Sequence, residues 1–565
     1  MVTPELICAN WNFGSTGCER IGRHGCKDCQ LVTYCSRECQ KANWPQHKPS
    51  CKSPLRKEAW QPAWTLEGRT PAFMGGGLGQ VFGDKKYLWG NVPAFDVLQL
   101  DKNEGADYSG PLRILFAASG DIRHVVKTIS ELPGSYSGTI EVTLNDRDGD
   151  IVARNIILHL VALVVDDIAI AVDCIIHLWY SALIRESDWN ILQQQIRPLI
   201  EEICTKTAAK PPGTILGKTW SFDQRSLRVV LAKSAWDELL RYLDAPPGMD
   251  AQRAQQVRTI ITLAESRKDY RDRYMCCIPP AHRVAFHKFR EDGLVLPFGY
   301  PRGEFQVPNP TLYYGRCSWP MPDNADPRHG WPAEEVEDTS TGRATADIYG
   351  KLFFYLRGKI SAFLMRLHSI DASFKLLQVD AASISDYVDP ASFSRIDVSN
   401  ISDYGWLGIH RTLLYMVPLL KPRLENPHAT LITLFMNAVE ETLTDKDRLR
   451  DLTPHSASSL KLVRYLPPDR RPTSRYDPVI VKVNMARDLV MDYDAIFDRY
   501  SSKLEFQKAA ALLGAAMKHT HSIIDKWPYK LKLRPGKSGA QEEFDRAPGG
   551  GLSSKERYVE WRLTT

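Results

Sequence analysis

Between Cys8 and Cys51 the chain places seven of its twelve cysteines and one in-line histidine. The stretch reads CANWNFGSTGCERIGRHGCKDCQLVTYCSRECQKANWPQHKPSC, with donors in the order Cys8, Cys18, Cys26, Cys29, Cys35, Cys39, His47 and Cys51. Eight soft donors make two sets of four, and four is what a closed tetrahedral structural zinc takes. The spacing agrees. Cys26-x2-Cys29 is a tight knuckle, while Cys35-x3-Cys39 and His47-x3-Cys51 are i, i+4 pairs on one face of a helical turn. Pro45 and Pro49 flank His47, so the second of these helices is expected to be a single short turn. The large apolar residues are few: Ile7, Trp11, Phe13, Ile21, Leu31, Val32, Tyr34 and Trp44. About 45 residues with so little to bury do not fold unaided. Each structural zinc supplies on the order of 10–16 kcal/mol of apparent binding energy, which becomes folding energy. A disulfide framework fits less well, because the cysteine count here is odd and a histidine completes the set. Residues 1–7 also lack the basic start and apolar run of a secretory leader.

The run CKDCQLVTYCSRECQKANWPQHKPSC resembles the MYND zinc-finger family, with YCSRECQ…W..H...C as its most specific part. The resemblance implies two cross-braced Zn²⁺ sites, one of Cys8, Cys18, Cys35 and Cys39, the other of Cys26, Cys29, His47 and Cys51. The family usually opens with C-x2-C, whereas nine residues separate Cys8 from Cys18. Longer loops raise closure entropy only slowly, so Cys8 stays in the set, with His24 as the alternative ligand. The resemblance also implies a role in holding protein partners. Proline-rich peptides, pre-ordered and extended, lie in a groove that Gln40 and Trp44 match here. The competing role for Trp44 is packing against the zinc helix. A nucleic-acid partner is not favoured. Residues 1–60 carry nine Lys/Arg and five Asp/Glu, a surplus of four that seven thiolates against two Zn²⁺ reduce by three.

The whole chain has 565 residues, 43% hydrophobic and 25% charged, which are globular values that allow three or four domains. Cys174, Cys204, Cys276, Cys277 and Cys317 are scattered and read as reduced thiols, so the cytosol or nucleus is the expected compartment. The most apolar region, 151–184, is too often interrupted by charge to span a bilayer. The expected organisation is a finger at 1–52, a linker at 53–86 and the first half of an α/β domain at 87–166. A mainly helical insertion at 167–346 and the second half at 347–565 follow.

Leu112–Ala118 is a buried strand, Asp121–Leu132 a helix, Gly138–Leu144 a second strand and Ile151–Val165 a second helix. Segments 168–207, 223–243 and 251–268 are helical in period. Residues 301–332, with seven prolines and the exposed-looking Trp319 and Trp331, read as a solvated loop, followed by the acidic 334–338. Strands return at Phe374–Asp380, Phe393–Asn400 and His428–Phe435, with a helix at His410–Leu420. A helix at 505–526 and a hairpin pairing Tyr529–Arg534 with Tyr558–Leu563 close the chain. Strand–helix alternation of this kind predicts a doubly wound, Rossmann-like (methyltransferase-like) parallel sheet with a large helical insertion. WGNVPAFDVLQL, LRILFAASGDIRHVVKTI, NDRDGDIVARNI and RKDYRDRY…PPAHRVAFHKFREDGLVLPFG resemble a domain of unknown function. That domain occurs in fungal proteins behind a MYND finger, and a related version opens the dynein axonemal preassembly factors.

A ligand of such a sheet would sit beyond the carboxyl ends of its strands. The candidates are Gly120, Asp146, Asp380 and Asn400, in an order that resembles class I S-adenosylmethionine methyltransferases. AASGDI carries one glycine where that family uses two or three, so a non-catalytic scaffold is the expected reading and the methyltransferase the alternative. GGGLG at 75–79 lacks the lysine and strand of a phosphate loop. MYND fingers also accompany SET-domain lysine methyltransferases, but no NHS-C motif or terminal CxCxxC occurs. His519 and His521 are i, i+2 on the expected helix and share no metal, and His282 and His287 read as surface residues.

Overall fold

The structure is a computed structural model and describes residues 6–11, 18–74, 81–315, 317–451, 453, 455–467 and 471–564. The glycine-rich loop at 75–79 lies outside them.

At the amino end, the short strands β1 (His24–Gly25) and β2 (Thr33–Tyr34) pair antiparallel, and the helix Arg37–Cys51 follows. Ser36 caps this helix, its hydroxyl accepting from the Cys39 amide at 3.3 Å. The single short turn expected around His47 is thus corrected to one 15-residue helix with Pro45 and Pro49 inside it. An interior proline costs about 3 kcal/mol or more. Cys39, His47 and Cys51 lie at three points along this helix, each in a cluster of potential metal donors, and binding energy from such a site would offset that cost.

The rest of the chain is a mixed α/β body. Its strands are β3 (Leu112–Phe116), β4 (Thr139–Asn145), β5 (Leu183–Arg185), β6 (Ile215–Phe222), β7 (Arg225–Ala232), β8 (Phe305–Pro308) and β9 (Asp371–Leu377). β10 (Arg395–Asp397), β11 (Thr430–Phe435), β12 (Ala515–Met517) and β13 (Arg557–Leu563) complete the set. β5 and β8 form a separate ribbon, and the other nine lie in one sheet, ordered β12-β13-β11-β10-β3-β4-β9-β7-β6. From β11 to β7 all neighbours are parallel, whereas β6 and β13 are antiparallel to their neighbours. The central strands β3 and β11 are mostly apolar on both faces, as strands covered from both sides are, and Arg395 and Asp397 on β10 are buried polar exceptions. On β3, Ile114 and Phe116 enter one core and Leu115 the other; on β11, Ile432 and Leu434 face the first, Leu431 and Phe435 the second.

Several expectations are corrected. Segment 223–243, read as helical, contributes β7, whose Arg225, Leu227, Val229 and Leu231 are buried in strict alternation. The loop at 301–332 is not solvated. Trp319 and Trp331 are buried, and the Trp331 indole N–H donates to the Tyr180 hydroxyl at 2.9 Å. The acidic run is the helix Ala333–Asp338, where Glu335 pairs with Lys127 at 2.6 Å. The helix expected at 505–526 ends at Leu512, and Gly514, at φ +66°, turns the chain into β12. The partners of β13 are β11 and β12 rather than 529–534, where the Lys532 and Leu533 amides donate to Glu543. Within 53–86, Trp64 and Phe73 are buried against Val481, and Arg69 pairs with Asp269. No helix among the described residues is long and apolar enough to cross a membrane.

Candidate metal centre

Two four-residue clusters stand out in the finger, Cys8, Cys18, Cys35, Cys39 and Cys26, Cys29, His47, Cys51. In each, the donor atoms lie within 4.8 Å of one another. In the first, Cys35 Sγ is 3.4 Å from both Cys18 Sγ and Cys39 Sγ. In the second, Cys26 Sγ is 3.7 Å from Cys51 Sγ, and Cys29 Sγ is 3.4 Å from His47 Nε2. A tetrahedron with zinc–sulfur arms of about 2.3 Å has edges of about 3.8 Å. The donor sets therefore fit two Zn²⁺ ions, and their alternation along the chain cross-braces the sites.

Local structure explains each ligand's place. Ile7 bridges Ile21, and the Cys8 amide donates to the Arg20 carbonyl at 2.8 Å, which brings Cys8 beside Cys18 despite the long spacing. Cys8 is fully buried; His24, the alternative, lies exposed on β1 and belongs to neither cluster. Cys26 and Cys29 flank the turn into β2, where the Cys26 amide bonds the Val32 carbonyl. His47 and Cys51 lie one turn apart on the long helix. Gln40 and Trp44, one turn apart on that helix, are half-buried, and the Trp44 ring meets His47 edge-on at 6.0 Å.

Contacts that no sequence signal announced seat the finger on the body. The Trp11 indole N–H donates to the Gly299 carbonyl at 2.7 Å. The Ala346 amide donates to the Gln30 carbonyl at 3.0 Å, and the Thr345 hydroxyl to Gln30 Oε1 at 2.7 Å. A side chain at Gly299 would press on Ala9 and Val32, with its Cβ 3.3 Å from Ala9. Behind the finger, the Arg56 guanidinium donates to the Cys51 and Asp28 carbonyls.

The four residues proposed for a sheet-edge ligand fall into separate local roles. Gly120 is left-handed (φ +55°), and its amide donates to Asp146 Oδ2 at 3.1 Å. Asp146 Oδ1 accepts from the Asp148 amide at 3.0 Å, and burial pushes this carboxyl up from its ordinary value. Asp380 is exposed and caps the turn Ala381–Asp386 through the Ala382 amide. Asn400 is half-buried, and its carbonyl accepts from the Asp403 amide at 3.1 Å. Asn145 ties the neighbouring strand ends together, donating to the Ala117 and Val379 carbonyls.

Asp397, at the end of β10, is a buried carboxyl that burial pushes up to about 7. Between about pH 4 and pH 7 the folded chain holds a proton here that the unfolded chain has released, so stability falls as pH rises through that window. Asp397→Asn is expected to raise stability at pH 8 by roughly 2–4 kcal/mol and to flatten this slope, as read by urea unfolding at several pH values.

Comparison with known proteins gives two family matches. Residues 16–51 match the MYND finger, and residues 88–184 match a domain of unknown function, DUF4470. A curated protein of Schizosaccharomyces pombe, SET domain and MYND-type zinc finger protein 6, is 46% identical over 35 residues. That match spans 6% of this chain and 7% of the relative. No solved structure matches the chain.

Proposed function

We propose that the chain is an adaptor whose zinc finger captures a proline-rich protein segment and whose α/β body is a non-catalytic, Rossmann-like scaffold. The observation that carries this reading is the finger itself. Two complete ligand sets hold it rigid, and Trp11 and Gln30 bind it to the body while Gln40 and Trp44 stay accessible on one helical face. A peptide taken there loads a platform rather than a free tail. With PxLxP-type peptides, fluorescence anisotropy should give saturable micromolar binding that Trp44→Ala weakens by at least about tenfold. The variant's zinc content should not change. Absence of saturation with wild-type protein at high micromolar peptide would refute the reading.

The strand order supports a second reading, an S-adenosylmethionine-dependent methyltransferase. From β9 through β4, β3, β10 and β11 the order is 3-2-1-4-5, and an antiparallel β13 separates β11 from β12. The scaffold reading is favoured because the Asp146 carboxylate is already engaged by the Gly120 and Asp148 amides. Calorimetry with S-adenosylmethionine discriminates the two, and a flat titration would remove the second.

A further inference from the structure

The large sheet ends at β6 in a long bare edge. β6 and β7 form a hairpin whose two-residue turn is Asp223 and Gln224, with Asp223 left-handed at φ +53°. Such a turn closes on a hydrogen-bonded pair, here Phe222 and Arg225, and bonded and non-bonded pairs then alternate down an antiparallel ladder. Ser221, Thr219, Gly217 and Ile215 therefore hold the non-bonded positions, and their amides and carbonyls point away from β7. All four residues are exposed, and among the described residues nothing bonds those outward groups. Edge strands are usually blunted by a proline, a bulge, a short length or an inward charge. β6 runs for eight residues with no proline and no break in register. Its one charged side chain, Lys218, alternates onto the other face, 3.6 Å from Glu202.

The charge along this edge is one-sided. Arg228 lies on β7 opposite Thr219, is exposed, and leans its guanidinium out across β6. Its Nη1 donates to the Thr219 hydroxyl at 3.2 Å, and a Cβ on Gly217 would lie 3.0 Å from its Nη2. No carboxylate pairs with it among the described residues, and its register partner on the other side, Lys375 of β9, is a second cation whose ammonium bonds the Tyr387 carbonyl. Like charges directly opposite one another are unfavourable. The carboxylates further across the sheet, Glu141 and Asp389, are both taken by Arg113, at 2.9 and 3.2 Å. Two residues along the outward row from Gly217, the aliphatic Ile215 is 52% exposed.

We propose that β6 is a docking edge for an extended segment of a partner protein, which adds to the sheet as a further strand and sets a carboxylate opposite Gly217, against Arg228, and an aliphatic side chain opposite Ile215. The outward backbone groups supply affinity and the alternate side chains supply selection. Charge disfavours a second copy of this chain, because two β6 edges in antiparallel register would bring their Arg228 guanidinium groups together.

The test is fluorescence anisotropy on the full zinc-loaded chain, with a labelled peptide of about ten residues that has Thr at every second position and Glu and Val alternating in the others. The same peptide with Lys for Glu, and one with a central Pro-Pro, are separate arms. The Glu peptide should saturate at about 10–100 μM, the Lys peptide should bind at least about fivefold more weakly, and the Pro-Pro peptide should not saturate. Arg228→Glu should reverse the preference between the Glu and Lys peptides. Thr219→Pro removes an outward amide and no ladder bond, so it should abolish binding with the sheet intact by circular dichroism. Where that variant does not fold, the exposed change Arg228→Glu decides alone. Hydrogen exchange over 215–222 should slow on saturation. No saturation at about 1 mM, equal binding of the Glu and Lys peptides, a preference that Arg228→Glu leaves unreversed, or unchanged exchange over 215–222 would overturn the assignment. So would a concentration-dependent dimer in ultracentrifugation that Thr219→Pro abolishes, which would give the edge to a second copy. Excess PxLxP-type peptide should not compete, so this assignment and the finger's fail separately.

Discussion

Cys26→Ser is expected to empty the second zinc site and unfold the finger while the α/β body keeps its structure. The expected loss is on the order of 10 kcal/mol for the finger, because a structural zinc supplies on the order of 10–16 kcal/mol of apparent binding energy. That is comparable to the total stability of a typical domain, about 5–15 kcal/mol. The helix Arg37–Cys51 is the part most exposed to the loss. It carries two interior prolines, and three of its residues are ligands, His47 and Cys51 both belonging to the second site. Without that site the helix beyond Pro45 loses both of its metal anchors and keeps peripheral contacts such as the Arg56 bond to the Cys51 carbonyl and the exposed Lys52–Asp28 pair. Native mass spectrometry should count at most one zinc in the variant against two in the wild type. Hydrogen exchange over 18–52 should rise toward that of an unfolded peptide while β3, β4 and β9 stay protected. Around Gly299 and Ala346, where Trp11 and Gln30 are bonded, protection should fall locally. A variant that still holds two zincs would show that the second donor set is misassigned.

What could be read from the sequence follows the range of the interactions involved. The zinc ligands were legible because their geometry is set by short spacings; even the distant Cys8 was recoverable by donor count, though only the Ile7–Ile21 bridge shows why it outcompetes His24. The runs at Leu112–Phe116 and Thr430–Phe435 were legible because strands covered on both faces are largely apolar, Arg113 being the one charged residue in either run. β7 was missed for the opposite reason. Its period-two burial runs straight into the helix Lys233–Leu239, and a window across both averages to a helical period. Trp319 and Trp331 sit among prolines, and partners far away in sequence, Trp89 for the first and Trp179, Tyr180 and Tyr355 for the second, help to bury them. The bonds seating the finger join residues about 290–315 positions apart and carry no local pattern. The same distance hid a cavity of about 620 Å³ whose walls come from segments near 90, 270, 323, 436 and 556.

Arg395→Met is expected to destabilise the body by about 3–5 kcal/mol, the cost of leaving a buried charge without its partner. Arg395 is fully buried on β10 and grips Glu104 with both ends of its fork, at 2.8 and 2.6 Å. Its remaining bonds go to the carbonyls of Leu98, Ser394 and His428, so one guanidinium ties the segment before β3 to the starts of β10 and β11. Asn426 adds a further donor to Glu104. Burial alone would raise the Glu104 carboxyl; the charge and hydrogen bonds of Arg395 outweigh it and bring the carboxyl below its ordinary range. A depressed carboxyl adds stability above its unfolded pKa of about 4.3 and loses it as pH falls through the folded value. The wild type should therefore show an acid-side loss of stability below about pH 4 that the double variant Arg395→Met, Glu104→Leu lacks. That double variant should recover much of the single variant's loss, because replacing a buried ion pair by apolar groups is often near neutral. Urea midpoints for the two single variants and the double variant, taken at pH 4 and pH 7, measure the coupling directly. Additive effects of the two substitutions would show that the pair does not act as a unit.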